Sequence, residues 1–145
     1  MRVLVTGGAG FVGSHLSRAL VAEGHEVTAL DDLSGGREAN LAGAGIRLVS
    51  GDVRDAATVG PLVAAAEAVH HLAAAVGVRR VAEDPAGTWS RNVLGTASVL
   101  EACAERGVPA LLASTSEVYG PGRDGILRED EPLHLDPSSR RDVYA

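Results

Sequence analysis

Apolar runs of five or six residues alternate along the chain with longer stretches in which Leu, Val and Ala recur at three- and four-residue spacing. The short runs are RVLVT at 2–6, EVTAL at 26–30, IRLVS at 46–50, AVHHL at 68–72 and PALLAS at 109–114. Being brief and rich in β-branched residues, they predict five strands. The stretches GSHLSRALVAEG, AATVGPLVAAAE and DPAGTWSRNVLGTASVLEACAERG predict helices. The Gly-rich segment SGGREANLAGAG has room for only a short helix. Strands joined by helical crossovers imply an α/β fold, a doubly wound parallel sheet of Rossmann-like form. From about Gly120 the alternation stops, and residues 120–145 are polar with Pro and Gly punctuation, which predicts a loop region.

The first strand runs directly into TGGAGFVG, with Gly7, Gly10 and Gly13 three apart. Such a turn must bend tightly, expose its backbone to something bulky, and let a helix pack closely on the strand, and residues without a Cβ meet all three demands. The unpaired N–H groups of the helix that follows make a seat for a diphosphate. Asp31 ends the second strand at the distance expected for a carboxylate that accepts the hydroxyls of an adenosine ribose. Such a carboxylate repels a 2′-phosphate, so NAD is expected rather than NADP, and a small-carbonyl reductase using NADP is disfavoured. Asp32 is placed to share or dilute that role.

Composition narrows the classes further. A chain of 145 residues can bury roughly 70% of its unfolded surface, enough for one domain without disulfide or metal. Aromatic residues make up 3%, which leaves the core to Ala, Val and Leu. All 13 basic residues are arginine. A net charge of −6, with only Arg79-Arg80 and Arg140-Arg141 as adjacent basic pairs, argues against a nucleic-acid surface. Cys103 stands alone within a helical run and is expected as a small buried hydrophobe. No run approaches the length of a membrane span, so the expectation is a soluble, cytoplasmic protein with no membrane partner. His70 and His71 are expected to hydrogen-bond locally at a strand end, and no metal site is expected.

Several stretches, taken in order, carry a resemblance: TGGAGFVG at 6–13, LDDLSGG at 30–36, GDVRD at 51–55, HHLAAAVGV at 70–78, NVLGTASVLEAC at 92–103 and STSEVYG at 114–120. Together they resemble the extended short-chain dehydrogenase/reductase superfamily, in its NAD-dependent nucleotide-sugar epimerase, dehydratase and decarboxylase branch. The resemblance implies cofactor contacts at Gly7, Gly10, Phe11, Val12, Gly13, Asp31 and Asp32. It also implies that Asp52 and Val53 hold the adenine and that Ala73 and Ala74 let the dinucleotide pass close to the backbone. Asn92 is counted with this set as the family's brace on the active-site strand, with a plain solvent-facing Asn as the other reading.

The same resemblance implies chemistry at C4 of a hexose bound as its nucleotide diphosphate: a tyrosinate takes the hydroxyl proton and a 4-keto sugar forms. A tyrosine of ordinary pKa, about 10, needs a neighbouring cation to act as that base. Tyr144 stands where the family's tyrosine should be, and the family's lysine would be the fourth residue after it. Thr115 matches the family's hydroxyl relay, its other reading being a turn cap. Glu117 would handle C5 proton chemistry or fix the sugar, and Tyr119 would shape the pocket. The 4,6-dehydratases carry Asp-Glu where this chain has Ser116-Glu117, which favours a 4-epimerase or a UDP-glucuronate decarboxylase-like enzyme. The expectation is therefore the dinucleotide-binding portion of a longer enzyme whose substrate domain is absent here, inactive alone. The alternatives are a non-catalytic dinucleotide-binding module or a 4,6-dehydratase. Trp89, Leu94 and Leu100 in the 85–105 helix are candidates for a homodimer face, or equally for monomer core.

Overall fold

A computed structural model describes residues 1–120, 125–134 and 136. Five strands, β1 (Arg2–Thr6), β2 (Glu26–Asp31), β3 (Arg47–Ser50), β4 (Ala68–His71) and β5 (Ala110–Leu112), form one sheet in the order β3-β2-β1-β4-β5. Every neighbouring pair is parallel. The doubly wound expectation is met, and the strand order reverses between β1 and β4. A crevice opens beyond the carboxyl ends of the strands at such a reversal.

β1 holds this arrangement together because its side chains are buried on both faces. Val3 and Val5 pack with Val27 against Leu16 and Leu20 of helix α1 (Phe11–Ala22). Leu4 points to the other layer, against Val59 and Val63 of α2 (Ala56–Ala65). Val99 and Cys103 of α5 (Gly95–Arg106) complete that layer. Cys103 is buried, as its helical setting predicts, and burial pushes its thiol pKa up. Asp55 starts α2 by accepting from the Ala57 N–H (3.0 Å), the satisfied cap that a polar first residue supplies. Gly107, at φ 66°, ends α5 in the left-handed conformation that favours glycine.

The structure departs from the pattern in three places. A helix α3 (Val78–Glu83) follows β4 where no helix is expected, because it is short and its N-cap is Gly77, with no capping side chain. The predicted long helix is continuous in space but changes pitch: α4 (Pro85–Trp89) passes through a π-helical turn (Ser90–Leu94) into α5. β5 is shorter than its apolar run, and Ala110, Leu111 and Leu112 are all exposed; among the described residues β5 pairs with β4 alone. The segment after β2 carries one 3-10 turn (Glu38–Leu41), as its glycines allow.

Because Leu4 is 1% exposed at the centre of the sheet, Leu4→Ala is expected to destabilise the fold by about 3 kcal/mol. Leu111→Ala, on the exposed strand, is expected to change stability by less than about 1 kcal/mol. Urea unfolding of both variants checks the contrast.

Candidate functional site

The glycine turn is built around the buried peptide of Ala9. Its N–H donates to Asp31 Oδ2 (2.9 Å), and its carbonyl accepts from the Arg37 N–H (3.0 Å) and from Asn40 Nδ2 (2.8 Å). The Gly7 N–H donates to the Leu30 carbonyl (2.8 Å). The loop after β1 is thus fastened along its length to β2 and the segment that follows. Asn40 is itself held from below, since Arg18 of α1 donates to the carbonyls of Asn40 and Ala42.

Three glycines of the turn are required by contact: Gly8, whose Cβ would stand 2.5 Å from the Ala29 Cβ, and Gly7 and Gly13. Gly7 lies at φ 68°, and a Cβ there would stand 2.8 Å from the Ala73 backbone nitrogen. A Cβ on Gly13 would fall on the Gly7 carbonyl oxygen, so α1 could not start this close to β1. Gly10 differs: its φ is −72°, and an added Cβ would meet only the Gly7 carbonyl oxygen, at 3.2 Å. The rest of the space beside it belongs to a crevice.

That crevice, about 370 Å³, is lined by Gly7, Gly10, Phe11, Val12 and Gly13 on one wall. Asp31, Asp32 and the Ser34–Gly36 segment line another, while Asp52, Val53, Ala73 and Ala74 complete it. Every residue expected at the cofactor except Asn92 is therefore brought to one cavity. α1 has neither an acidic residue in its first turn nor a side-chain cap, so its N-terminal partial charge is left for whatever occupies the crevice. Phe11 is 81% exposed. The cradle suits an extended, anionic, partly apolar group.

The carboxylates at the site are already engaged. Asp31, 7% exposed, also accepts from the Leu33 N–H (2.8 Å), which holds Leu33 at φ 59°, a conformation that disfavours a branched side chain. A carboxylate has about four acceptor positions, so two backbone donors leave capacity for hydroxyl groups. Asp32 accepts from the Ser34 N–H (2.9 Å). Asp52 pairs with Arg54 (2.5 Å), and the hydrogen bonds from that guanidinium hold its carboxyl below the usual range. Arg54 also donates to Ser90 Oγ (3.0 Å).

Asn92 stands one step back: its Oδ1 accepts from the Ala75 N–H (2.7 Å), bracing the loop after β4 rather than facing solvent. His71 is fully buried, with Nδ1 2.7 Å from Thr6 Oγ1 and Nε2 3.0 Å from Thr96 Oγ1. The Ala73 N–H donates to Thr6 Oγ1 (3.3 Å), so the histidine ties β1, β4 and α5 together beneath Ala73. Burial pulls its pKa down to about 4.

The expected chemical residues lie apart from this cavity. Thr115 Oγ1 accepts from the Glu117 N–H (3.2 Å), capping a 3-10 turn (Ser116–Tyr119). Thr115 and Tyr119 line a second hollow of about 330 Å³ together with Leu127, Arg128 and Glu129. Tyr144 lies outside the described residues. Sequence reasoning missed Asn40, Arg80 and Arg91, of which the two arginines line the crevice.

The family described as NAD dependent epimerase/dehydratase matches residues 3–145. The chain belongs to that family. It is 43% identical over 145 residues to a dTDP-glucose 4,6-dehydratase of Mycolicibacterium smegmatis, covering 96% of this chain and 44% of that one. It is 37% identical over 147 residues to UDP-glucuronic acid decarboxylase 1 of Danio rerio, covering 99% and 34%. The crystal structure of a Thermus thermophilus UDP-glucose 4-epimerase in complex with NAD superposes with a TM-score of 0.87 at 38% identity, covering 99% of this chain and 47% of that one. The chain therefore spans between a third and a half of the length of these relatives. No helix among the described residues is long and apolar enough to cross a membrane.

Because the His71 pKa is lowered to about 4 by burial while its unfolded value is about 6.5, the unfolded chain binds the extra proton between those limits. Stability is then lost as pH falls from about 6.5 to about 4, by about 3 kcal/mol from this group. Unfolding free energies measured across that window are expected to fall steeply in the wild type. His71→Gln is expected to be less stable at pH 8 but flatter in pH.

Proposed function

We propose that this chain is the NAD-binding portion of a nucleotide-sugar-modifying enzyme that works through a 4-keto sugar. The observation that carries the reading is the crevice walled by Gly7, Gly10 and the first turn of α1, with the Asp31 carboxylate fixed at its rim. Gly10 and the start of α1 would hold the diphosphate, Asp31 and Asp32 the adenosine ribose, and Asp52 and Val53 the adenine. NAD, when bound, supplies the two-electron acceptor for C4 of the sugar. Asn92 acts by holding Ala75 in place beside the bound dinucleotide.

In the substrate half, Thr115 would orient the 4-hydroxyl and pass its proton to Tyr144, while Glu117 would act at C5 or fix the sugar. Three outcomes can follow a 4-keto sugar, and relatives of all three kinds match this chain. Ser116, standing before Glu117 where dehydratases carry Asp, favours epimerisation or decarboxylation. The 43% identity to a dTDP-glucose 4,6-dehydratase supports dehydration as the second reading. The substrate is a nucleotide-diphosphate sugar in each case. A cytoplasmic setting belongs to the same reading, supported by the single, buried Cys103.

The reading includes a homodimer through the 85–105 helices. Trp89, Val93, Leu94 and Leu100 lie on the exposed side of this segment, with Trp89 48% exposed, while α5 buries Val99 and Cys103 against the sheet. A second copy offering the same stripe is a self-complementary cover. Light scattering is expected to give a dimer for the protein and a monomer for Trp89→Asp. An unchanged mass for the variant would remove the helix from the interface.

Gly10→Ala tests binding with little strain, since its φ of −72° suits any residue and the one atom its Cβ would meet, the Gly7 carbonyl oxygen at 3.2 Å, need give by only a few tenths of an ångström. The variant is expected to bind NAD at least about tenfold more weakly and to keep its melting temperature within about 2 °C, as read by calorimetric titration and thermal unfolding. Incubation of the complete protein with UDP-glucuronate, UDP-glucose and dTDP-glucose distinguishes decarboxylation, epimerisation and dehydration. The 145-residue chain alone is expected to turn over none of them, and turnover by it would contradict the division of labour proposed here.

A further inference from the structure

Two guanidinium groups line the crevice, and neither has a role in the reading above. Arg80 projects from α3, on the β4 side, and its Nη2 donates to the carbonyl of Ser34 (3.0 Å) in the loop after β2. Because β1 lies between β2 and β4, this hydrogen bond crosses over the carboxyl end of the central strand. The guanidinium rests close to the loop backbone, with Nη1 3.7 Å from where a Cβ on Gly35 would be. Arg80 thus straps the mouth of the crevice through a contact to a neutral acceptor.

Arg91 comes from the π-helical turn that follows α4. Its chain neighbours are both committed: Ser90 accepts from Arg54, and Asn92 holds Ala75. A π turn accommodates an extra residue per turn and is frequent where a helix meets a functional site. Here it lets three successive residues serve one wall, with Arg91 at the crevice. The Arg91 Nε–H is buried without an acceptor. A buried donor of this kind is costly unless something in the cavity accepts from it.

Charge points to what that something is. Asp31, Asp32 and Asp52 also line the crevice, so an anion entering it meets three carboxylates. The N-terminus of α1 offers only about half a positive charge. Arg54 already neutralises Asp52, and with no lysine in the chain the guanidinium groups on the crevice that can offset Asp31 and Asp32 are Arg80 and Arg91. We propose that these two arginines bind the diphosphate of the dinucleotide. Arg80 exchanges the Ser34 carbonyl for a phosphate oxygen and closes over the bound cofactor, and the Arg91 guanidinium, whose Nε–H is buried and unpaired in the open crevice, turns to donate to the same diphosphate. The proposal rests on the NAD reading, and it assigns to this chain's arginines the charge that a glycine turn cannot supply.

The test is calorimetric titration of the purified protein with ADP, adenosine and NAD at several salt concentrations, for the wild type, Arg80→Gln and Arg91→Gln. Arg79→Gln is the control, because Arg79 is 91% exposed and paired with Glu83 on the same helix. Each glutamine variant is expected to bind ADP and NAD about tenfold more weakly, as loss of a charge-assisted hydrogen bond implies. Adenosine affinity should be unchanged, and the salt dependence of ADP binding should become shallower. Arg80→Lys and Arg91→Lys should restore the salt dependence and part of the affinity, and they serve in place of any glutamine variant that does not fold. Unchanged ADP affinity and salt dependence in folded variants, or an equal loss for adenosine, would overturn the proposal. Failure of the wild type to take up NAD would instead overturn the cofactor reading itself, so the two failures are distinct.

Discussion

The hydrogen bond from the Ala9 peptide to the Asp31 carboxylate (2.9 Å) is the constraint on which the site depends. A turn of three glycines has little intrinsic preference for one shape. Its shape is imposed from β2, through the Asp31 side chain below and through Arg37 and Asn40 on the Ala9 carbonyl above. With the turn so held, Gly13 can lie against Gly7 and α1 can start directly over the end of β1. The first turn of that helix then has no choice but to border the crevice. Asp31 therefore both lines the crevice and fastens the loop that borders it, and a change at this residue acts on both.

The sheet beneath explains why the fastening is rigid. β1 has Val3 and Val5 on one face and Leu4 on the other, each buried against a separate helical layer. His71, set between Thr6 and Thr96, extends this rigidity to the loop that carries Ala73 and Ala74. A neutral imidazole serves here as a spacer with hydrogen bonds at both ends, and its low pKa follows from that burial. The part of the crevice formed by Ala73 and Ala74, beside Gly7, is thus supported from the core rather than from solvent. A binding cavity held this way loses little conformational freedom when filled.

Much of this was legible in the chain because it depends on local pattern. RVLVT followed by TGGAGFVG states a strand, a bend without side chains and a helix start, and the acid at Asp31 follows at the expected remove. The remainder depends on relations that no short window contains. Helix α3 begins at Gly77 without a capping side chain, so nothing in VRRVAE distinguishes it from a polar loop. The π turn is a one-residue change of pitch inside an otherwise periodic run, and periodicity averages over it. Nothing in the local sequence singles out Arg80 or Arg91, and only the fold brings them to one cavity. PALLAS reads as a short apolar strand, yet among the described residues its Ala110, Leu111 and Leu112 are exposed, because burial of a strand depends on what lies beside it. Thr115 shows the same limit: its cap on the Ser116–Tyr119 turn is visible, whereas Tyr144, the partner that the resemblance implies, lies outside the described residues.

Hydrogen exchange measured by mass spectrometry with and without NAD tests the central claim most directly, since the claim concerns specific backbone amides. The account predicts slowed exchange on NAD addition in residues 7–14, 31–36 and 73–76, with the exposed strand at 110–112 unaffected. Exchange in the glycine turn and the Asp31 loop that does not change with saturating NAD, or protection confined to other segments, would contradict it.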